Sequence, residues 1–264
     1  MKRTVMTVLK QWAAVAVAAA AMIALPAAAQ AALTCQVNPT KVPITLSYHG
    51  AKLTISGQSA LNDELVLKIS TPPKDAAMKY KGKAAGLFWM KKGTMEFKGV
   101  PQVYLVSSTA KLNLILSDAE RQQYQLGYDA MGNAVKVEDS KGQPVERKWF
   151  DEFIRFKEKE MVYNIQEGTI TRKHGENGNA FEVVMDWPYQ AAPGVYNVEV
   201  FAVNGGKVVD KAATTFEVER TGLIAALSKM AVDQAALYGI MAVAIAMMAG
   251  FAVGVIFKKG GGSH

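Results

Sequence analysis

The stretch that decides the fold is PGVYNVEVFAVNGGKVVDKAATTFEV, residues 193–218. After the Pro193-Gly194 turn, alternate positions place four apolar side chains on one face, as a strand with one buried face requires: Tyr196, Val198, Val200 and Ala202. Gly205-Gly206 is typical of a hairpin turn, so residues 207–218 are predicted to return beside the first strand. A PGxY turn that leads into such a hairpin is typical of the last strands of an immunoglobulin-like sandwich.

Short strand patterns continue on the N-terminal side of this hairpin. Residues 64–70 alternate cleanly, with Leu65, Leu67 and Ile69 on one face. Similar patterns, separated by turn residues, occur at 42–48, 52–56, 87–90, 94–97, 102–107 and 181–185. This spacing predicts an antiparallel β-sandwich over residues 32–220.

Two helical patterns interrupt the strands near the middle of the chain. Ser117 and Glu120 have the spacing of a capping box, which predicts a helix over 118–131. Pro144 is a favoured first helical residue, and a second helix is predicted over 144–165. Its apolar face is formed by Val145, Trp149, Phe153 and Phe156. The expected fold is therefore mainly β, an immunoglobulin-like sandwich with an inserted helical pair, organised as one unit or as two small domains.

The C-terminal part of the sequence predicts a membrane helix. Residues 235–257 contain no charged side chain, and a helix of this length spans about 34 Å at roughly 1.5 Å per residue. Leu223, Leu227 and Met230 follow helical spacing just before this span. A juxtamembrane helix is therefore predicted over 221–234, and we expect it to begin near Gly222 and to run into the span without a break.

Residues 1–31 are predicted to be a signal peptide. Lys2 and Arg3 precede an uncharged stretch at 12–25, which as a helix is only about 21 Å long and too short for the hydrocarbon core. Ala29-Gln30-Ala31 has the small-x-small pattern that signal peptidase cleaves. The alternatives are cleavage after Ala29, a retained anchor, and lipoprotein processing before Cys35.

The two hydrophobic signals predict the same topology. Lys258 and Lys259 follow the span directly, and the positive-inside rule keeps them in the cytoplasm. A cleaved signal peptide sends residues 32–220 to the other side of the membrane. We therefore expect a single-pass protein of the bacterial inner membrane, with a periplasmic β-rich domain and a cytoplasmic tail of residues 258–264 that is too short to fold.

The net charge argues against nucleic acid as a partner. The chain carries 30 Lys and Arg against 23 Asp and Glu, which gives a net charge of +7. Removal of residues 1–31 deletes three basic residues and leaves 27 against 23. Lys258 and Lys259 lie beyond the span, so the exterior part is nearly neutral. Such a surface does not favour a polyanion.

Small residues recur every four positions within the span, so they share one face of the helix: Ala242, Ala246, Gly250 and Gly254. In lipid, helices associate where small side chains let their backbones approach closely. The stripe therefore predicts packing against a polytopic membrane protein or against a second copy of the chain. The alternative is that an alanine-rich span contains such a stripe by chance.

The sequence contains no recognisable catalytic motif, and we expect no enzymatic activity and no cofactor. We find no GxSxG, HExxH or phosphate-binding loop. His174 and Glu176 share a polar loop, but one histidine and one carboxylate are too few ligands for a metal site. Cys35 is the only cysteine, so no disulfide can form within the chain.

Several short motifs stand out along the chain: GLFWMKKG at 86–93, EFKGVP at 96–101, Tyr104 and PGVY at 193–196, together with the terminal span. In these motifs the chain resembles the Alph_Pro_TM family of alphaproteobacterial transmembrane proteins. The resemblance implies an exterior β domain with one C-terminal span. It also implies an accessory role beside an anion permease of the sulfite-exporter type. Within these motifs Trp89, Phe97, Pro101 and Tyr104 form either an interaction surface or part of the sandwich core.

Two functions remain open from the sequence. The first is an anchored accessory subunit of a membrane protein complex, which the topology and the small-residue stripe favour. The second is a tethered periplasmic binding module for a small anion or a protein client, which rests on the β-sandwich alone.

The topology leads to a first prediction. Alkaline phosphatase is active only outside the cytoplasm, so a fusion at Gly178 in the polar loop should be active and a fusion after Lys259 should be inactive. Enzyme assays on intact cells measure both fusions. The reverse pattern of activity would contradict the predicted orientation.

Overall fold

The computed structural model describes residues 32–84, 87–175 and 178–258. Thirteen strands lie within these ranges: β1 Gln36–Asn38, β2 Lys41–Ile44, β3 Ala51–Ser59, β4 Glu64–Ser70, β5 Lys74–Ala84, β6 Phe88–Val100, β7 Tyr104–Ser108, β8 Lys136–Asp139, β9 Tyr163–Gln166, β10 Thr171–His174, β11 Asn179–Trp187, β12 Gly194–Asn204 and β13 Lys207–Arg220. The described helices are α1 Leu112–Ile115, α2 Asp118–Tyr124, α3 Tyr128–Ala134, α4 Lys148–Lys159, α5 Gly222–Asp233 and α6 Ala235–Lys258. The predicted signal peptide, residues 1–31, lies outside the described residues.

The strands form three sheets. Sheet 1 has the order β1-β3-β11-β10, sheet 2 the order β2-β13-β12-β4-β7-β9, and sheet 3 the order β5-β6-β8. Sheets 1 and 2 pack face to face through aromatic side chains. The Trp187 ring of sheet 1 meets Tyr196 and Phe216 of sheet 2 edge-on, at centroid distances of 4.6 and 4.9 Å. The aromatic edge-to-face geometry fixes the stacking of the two sheets.

The mainly β fold with inserted helices and one C-terminal apolar helix is confirmed. The immunoglobulin-like assignment stays an interpretation, and two observations support it. The order of the four strands of sheet 1, and the order β13-β12-β4 within sheet 2, match the two sheets of such sandwiches. In addition, the Tyr196 hydroxyl donates a hydrogen bond to the Ala192 carbonyl, four residues upstream at the start of a late strand.

Strand β12 is buried on both faces. Tyr196, Val198 and Val200 point toward sheet 1, as their alternation predicts. Phe201 points to the opposite face, where its ring lies 5.2 Å from that of Tyr124 in α2. The inserted helices therefore cover the outer face of sheet 2, which the sequence pattern left unassigned.

A charged cluster lies on this second face. Glu199 of β12 accepts from Lys68 at 2.8 Å and from Lys211 at 2.5 Å. Lys68 also donates to the Tyr124 carbonyl at 2.9 Å, so the cluster links β4, β12, β13 and α2. Burial on its own would raise the pKa of Glu199, but hydrogen bonds from Lys211 and Lys68 outweigh it and hold that pKa below its ordinary value.

The single helix predicted over 118–131 is wrong, because the chain forms α2 and α3 instead. Ser117 accepts a hydrogen bond from the Glu120 backbone, as the capping box predicts. The Glu120 carboxylate, however, accepts from the Val208 backbone at 3.0 Å rather than from its own helix. Gln125 then adopts φ 52° and Gly127 φ 107°, and these left-handed residues end α2 and redirect the chain.

The helix predicted over 144–165 is shorter in the structure and covers Lys148–Lys159 only. Pro144 forms an isolated bridge with Glu138 instead of starting the helix. Met161, with φ 57°, ends the helical path. Residues Tyr163–Gln166 then become β9, which pairs in parallel with β7, because strand pairing at the edge of sheet 2 outweighs helical continuation.

Several strands also depart from the sequence prediction. In sheet 2, the pattern at 42–48 forms a strand only to Ile44. In sheet 3, the patterns at 87–90 and 94–97 belong to one strand, β6. Strand β5, with the sequence KDAAMKYKGKA, was not predicted, since lysine, alanine and glycine are depleted in strands. Pairing with β6 along its length stabilises it in spite of this composition.

Helices α5 and α6 follow the last strand. The expectation of an unbroken helix is wrong, because Gln234 adopts φ −136° and ψ 50° and separates α5 from α6. Residues Ala235–Phe257 are long and apolar enough to cross a membrane, and none of the span is buried against the rest of the described chain. The structure thus contains a packed β domain and one apolar helix that packs on none of it.

The Glu199 cluster leads to a second prediction. The folded pKa of Glu199 lies below its unfolded value, near 4.5, so its stabilisation is present above that value and is lost as the pH falls through the folded pKa. At pH 7 Glu199→Gln should lower the free energy of unfolding by about 2 kcal/mol, less than for a fully buried pair because the cluster is partly solvated. Urea denaturation of the detergent-solubilised protein measures this, and the difference should shrink below about pH 4.5.

Glu217→Gln is the matched control for this prediction. Its carboxylate lies 3.7 Å from Lys41 and is 46% exposed, so its loss should change stability by less than about 0.5 kcal/mol. Equal effects of the two substitutions at pH 7 would contradict the assigned role of Glu199.

Candidate functional site

Of the three residues considered for chemistry in the sequence, His174 has a hydrogen-bond partner and Cys35 is half-buried. The His174 ring nitrogen Nδ1 lies 2.8 Å from Asn179 Oδ1, while Glu176 lies outside the described residues. Cys35 is half-buried, and burial raises the pKa of its thiol to about 11, so it is protonated at neutral pH. The expectations that the protein has no cofactor and no enzymatic activity remain predictions.

The residues before Cys35 belong to the fold. Leu33 is buried, and its backbone N–H donates to the Asp210 carboxylate at 3.1 Å. The Thr34 backbone N–H donates to the Gln58 carbonyl at 2.9 Å. Lipoprotein processing would remove both residues, so these contacts favour cleavage upstream of residue 32 over cleavage before Cys35.

The four motif residues considered as an interaction surface do not lie on one exposed face. Phe97, Pro101 and Tyr104 are buried, whereas the Trp89 side chain is 68% exposed. Phe97 stacks on Phe153 of α4 with 4.3 Å between ring centroids. For three of the four residues, the structure therefore agrees with the alternative that they belong to the core.

These buried motif residues connect β9 and the turn between α2 and α3 to the segments beside them. The Tyr163 hydroxyl of β9 donates to the Pro101 carbonyl at 2.6 Å. The Tyr104 hydroxyl donates to the Gln125 carbonyl at 2.7 Å and accepts from the Gly127 backbone N–H at 2.8 Å. Burial raises the pKa of Tyr104, so the hydroxyl keeps its proton and both bonds. Tyr104 thus holds the turn between α2 and α3.

The small-residue stripe of α6 is open in the structure. Ala242, Ala246, Gly250 and Gly254 are all exposed. A Cβ atom added at Gly250 or Gly254 would meet no other atom within 4 Å. Nothing in the described part of the chain covers this face. Lys258 ends the helix, and Lys259 lies beyond the described residues.

A cleft of about 530 Å³ lies at the side of the sandwich. Its lining includes His49, Tyr163, Asp186 and Trp187. The indole N–H of Trp187 is buried and has no hydrogen-bond partner among the described residues. Buried polar groups are normally paired, so this unpaired donor makes Trp187 a candidate ligand contact among the residues that line the cleft.

The β5–β6 hairpin ends in an apolar tip that the sequence analysis did not identify as a unit. Leu87, Phe88 and Trp89 are 76%, 74% and 68% exposed, and Met90 follows with 53%. A run of four large apolar residues beside a run of lysines was the available signal. It was missed because β5 was not predicted, so the hairpin itself was not expected.

A packed β-rich domain joined to an apolar helix long enough to cross a bilayer fits the class of membrane-anchored proteins. The family profile described as "Putative transmembrane protein (Alph_Pro_TM)" matches residues 32–259. The chain belongs to this family, as its motifs suggested. A comparison with curated proteins finds no match.

The contrast between Tyr104 and Trp89 leads to a third prediction. Tyr104→Phe leaves the buried Gly127 N–H unpaired and removes the donor to the Gln125 carbonyl, and should lower the free energy of unfolding by about 1–3 kcal/mol. Trp89→Ala removes an exposed side chain and should change it by less than about 0.5 kcal/mol. Urea denaturation of both variants in detergent measures the difference. A larger loss for Trp89→Ala than for Tyr104→Phe would contradict these roles.

Proposed function

We propose that the protein is a non-enzymatic, membrane-anchored accessory subunit of a membrane protein complex, with its β domain on the periplasmic side of the bacterial inner membrane. The observation that carries the proposal is the open stripe of α6. No described residue of this chain covers the face formed by Ala242, Ala246, Gly250 and Gly254, and a helix of another chain is the neighbour we propose for it.

Physical chemistry favours a protein neighbour for this stripe. Lipid tails satisfy a purely apolar helix as well as another helix does, so association in a membrane depends on close packing and not on hydrophobicity. Glycines at 250 and 254 expose helix backbone that a neighbouring helix can approach closely. The family resemblance makes a polytopic anion permease of the sulfite-exporter type the preferred partner, and a second copy of the chain is the alternative.

The family match supports the proposed processing and location. It begins at residue 32, the first residue of the mature chain predicted from the signal-peptide pattern. The lysines at 258 and 259 favour a cytoplasmic C-terminus. On this topology residues 32–220 meet the exterior loops of a polytopic partner, while α6 meets its helices.

A second candidate function is a tethered binding module for a small anion or a protein client. The observation that favours it is the cleft beside Trp187, whose buried indole N–H has no partner among the described residues. A hydrogen-bond acceptor on a ligand would satisfy this donor. The carboxylate of Asp186 in the same lining disfavours an anion, so a neutral or peptide acceptor suits the cleft better.

The stripe leads to a fourth prediction. Gly250→Leu and Gly254→Leu keep the span apolar, so insertion should be retained, but their side chains block backbone approach and should weaken packing by on the order of a kcal/mol or more. The readout is the amount of polytopic membrane protein that co-purifies with the full chain in mild detergent. Native gels of the same samples report self-association.

Ala244→Leu and Ala252→Leu serve as matched controls, because both positions lie on the side of α6 opposite the stripe. They add the same leucine side chain to the same apolar helix. If stripe and control variants co-purify equally, α6 acts as a simple tether and the binding-module function becomes the better proposal.

A further inference from the structure

The β5–β6 hairpin leaves the sandwich at the end where the chain continues to the membrane helix. The segment that contains it begins after Ser70 and ends before Tyr104, and these two residues pair directly in sheet 2. Ser70 also pairs with Asn197, which in turn pairs with Thr215. Strand β13 runs on from Thr215 to Arg220 and into α5. Both ends of the hairpin segment therefore lie at the membrane-proximal end of sheet 2.

The outer part of the hairpin has no support from the rest of the domain. Near its base, β6 pairs with β8 between Met95 and Lys98. Further out, the Tyr80 ring packs against Trp149 of α4, with 4.7 Å between centroids. Beyond Tyr80 the described residues of β5 and β6 pair with no other strand of the described chain, and residues 87–92 are all exposed. An isolated two-stranded ribbon is only marginally stable in water, so this part depends on an external contact.

The tip carries apolar side chains on both faces of the ribbon. Phe88 and Met90 alternate with Trp89, so they point to opposite sides. A flat protein surface could cover only one of these faces. A fluid apolar medium such as the outer part of a bilayer covers both, and tryptophan prefers the membrane interface.

The strands behind the tip carry unbalanced positive charge. Residues 79–92 contain no acidic residue and five lysines: Lys79, Lys81, Lys83, Lys91 and Lys92. Lys81 and Lys91 are direct cross-strand partners, and like charges placed opposite each other destabilise a hairpin. None of the five forms an ion pair with another residue in the described ranges. An anionic surface outside the protein would supply the missing counter-charge.

We propose that the tip of the β5–β6 hairpin inserts into the interfacial region of the same membrane that α6 crosses, with its lysines on the anionic lipid headgroups. Leu87, Phe88, Trp89 and Met90 enter the acyl boundary, and Lys81, Lys91 and Lys92 lie at headgroup depth. This inference goes beyond the accessory role, and it requires only that the chain is anchored.

The dimensions of the elements allow this contact. From Thr215 to the start of α6, five strand residues and the 12 residues of α5 reach at most about 35 Å. The 11 residues of β5 extend about 36 Å from the same end of the sheet. The hairpin is therefore long enough to touch the surface that the stalk places beneath the domain.

The test measures the depth of the tip in vesicles that contain the full chain. In a Cys35→Ser background, Phe88→Cys is labelled with an environment-sensitive fluorophore and reconstituted into phosphatidylcholine vesicles that contain one-third phosphatidylglycerol. Val209→Cys, an exposed apolar position near the opposite end of β13, is the matched control. Quenching by nitroxide-labelled lipids should be at least about threefold stronger at the Phe88→Cys site than at the control.

The lysines are tested in the same assay. The triple variant with Lys81→Gln, Lys91→Gln and Lys92→Gln should reduce the lipid quenching at the tip by about half or more. With all three lysines present, quenching at the tip should fall by a similar amount when the vesicles contain phosphatidylcholine alone. Equal lipid quenching at tip and control would overturn the proposal. A label shielded from both nitroxide lipids and aqueous iodide would overturn it as well, because the tip would then be buried against protein. The co-purification assay on the α6 variants is independent of all these outcomes.

Discussion

Burial of strand β12 on both faces is the constraint on which the rest of the domain depends. Each large apolar side chain that leaves water contributes about 1.5–3 kcal/mol, so a strand with apolar residues on both faces needs two covering layers. Sheet 1 covers Tyr196, Val198 and Val200, and the inserted helices cover Phe201. The insertion between β4 and β9 is therefore part of the core and not an appendage. Because Glu199 lies on the helix-covered face, it is stable there only with the two lysines that compensate its charge.

The buried family motifs have their place in the same arrangement. Phe97 packs sheet 3 against α4, and the Pro101 carbonyl bonds to Tyr163 of β9. Tyr104 holds the turn between α2 and α3 against sheet 2. The aromatic rings exclude water from these contacts. The hydrogen bonds of the tyrosine hydroxyls are therefore made in a low-dielectric environment, where an unpaired polar group would be costly. Trp89 belongs to the same sequence motif but lies outside this network. A motif that is continuous in sequence thus separates in space into a structural part and an exposed part.

The sequence predicted those features that depend on local periodicity. The β12–β13 hairpin, the alternation of β4 and the apolar span can each be recognised within one segment, because their side chains repeat with the period of the element. The burial of Phe201, the strand β5 and the short α4 depend on partners distant in the chain. Residues 144–165 have helical spacing throughout, yet β9 forms within them because β7 offers an edge to pair with. The stripe on α6 can be recognised in the sequence, whereas the apolar run at 87–90 can be placed at a hairpin tip only once the pairing of β5 with β6 is known.

The distribution of apolar surface separates folding from function. The buried apolar side chains of the domain form one continuous cluster from Leu33 to Val218. Two apolar surfaces stay outside this core, the stripe on α6 and the hairpin tip at 87–90, and both belong to segments that leave the same end of sheet 2. Exposed apolar patches lower the solubility of a protein and are typical of surfaces that bind another protein or a membrane. The two proposed contacts, through α6 and through the hairpin tip, would hold the domain to the membrane at two points and so in a fixed orientation. A fixed orientation reduces the entropy that the domain loses when it binds a neighbouring membrane protein.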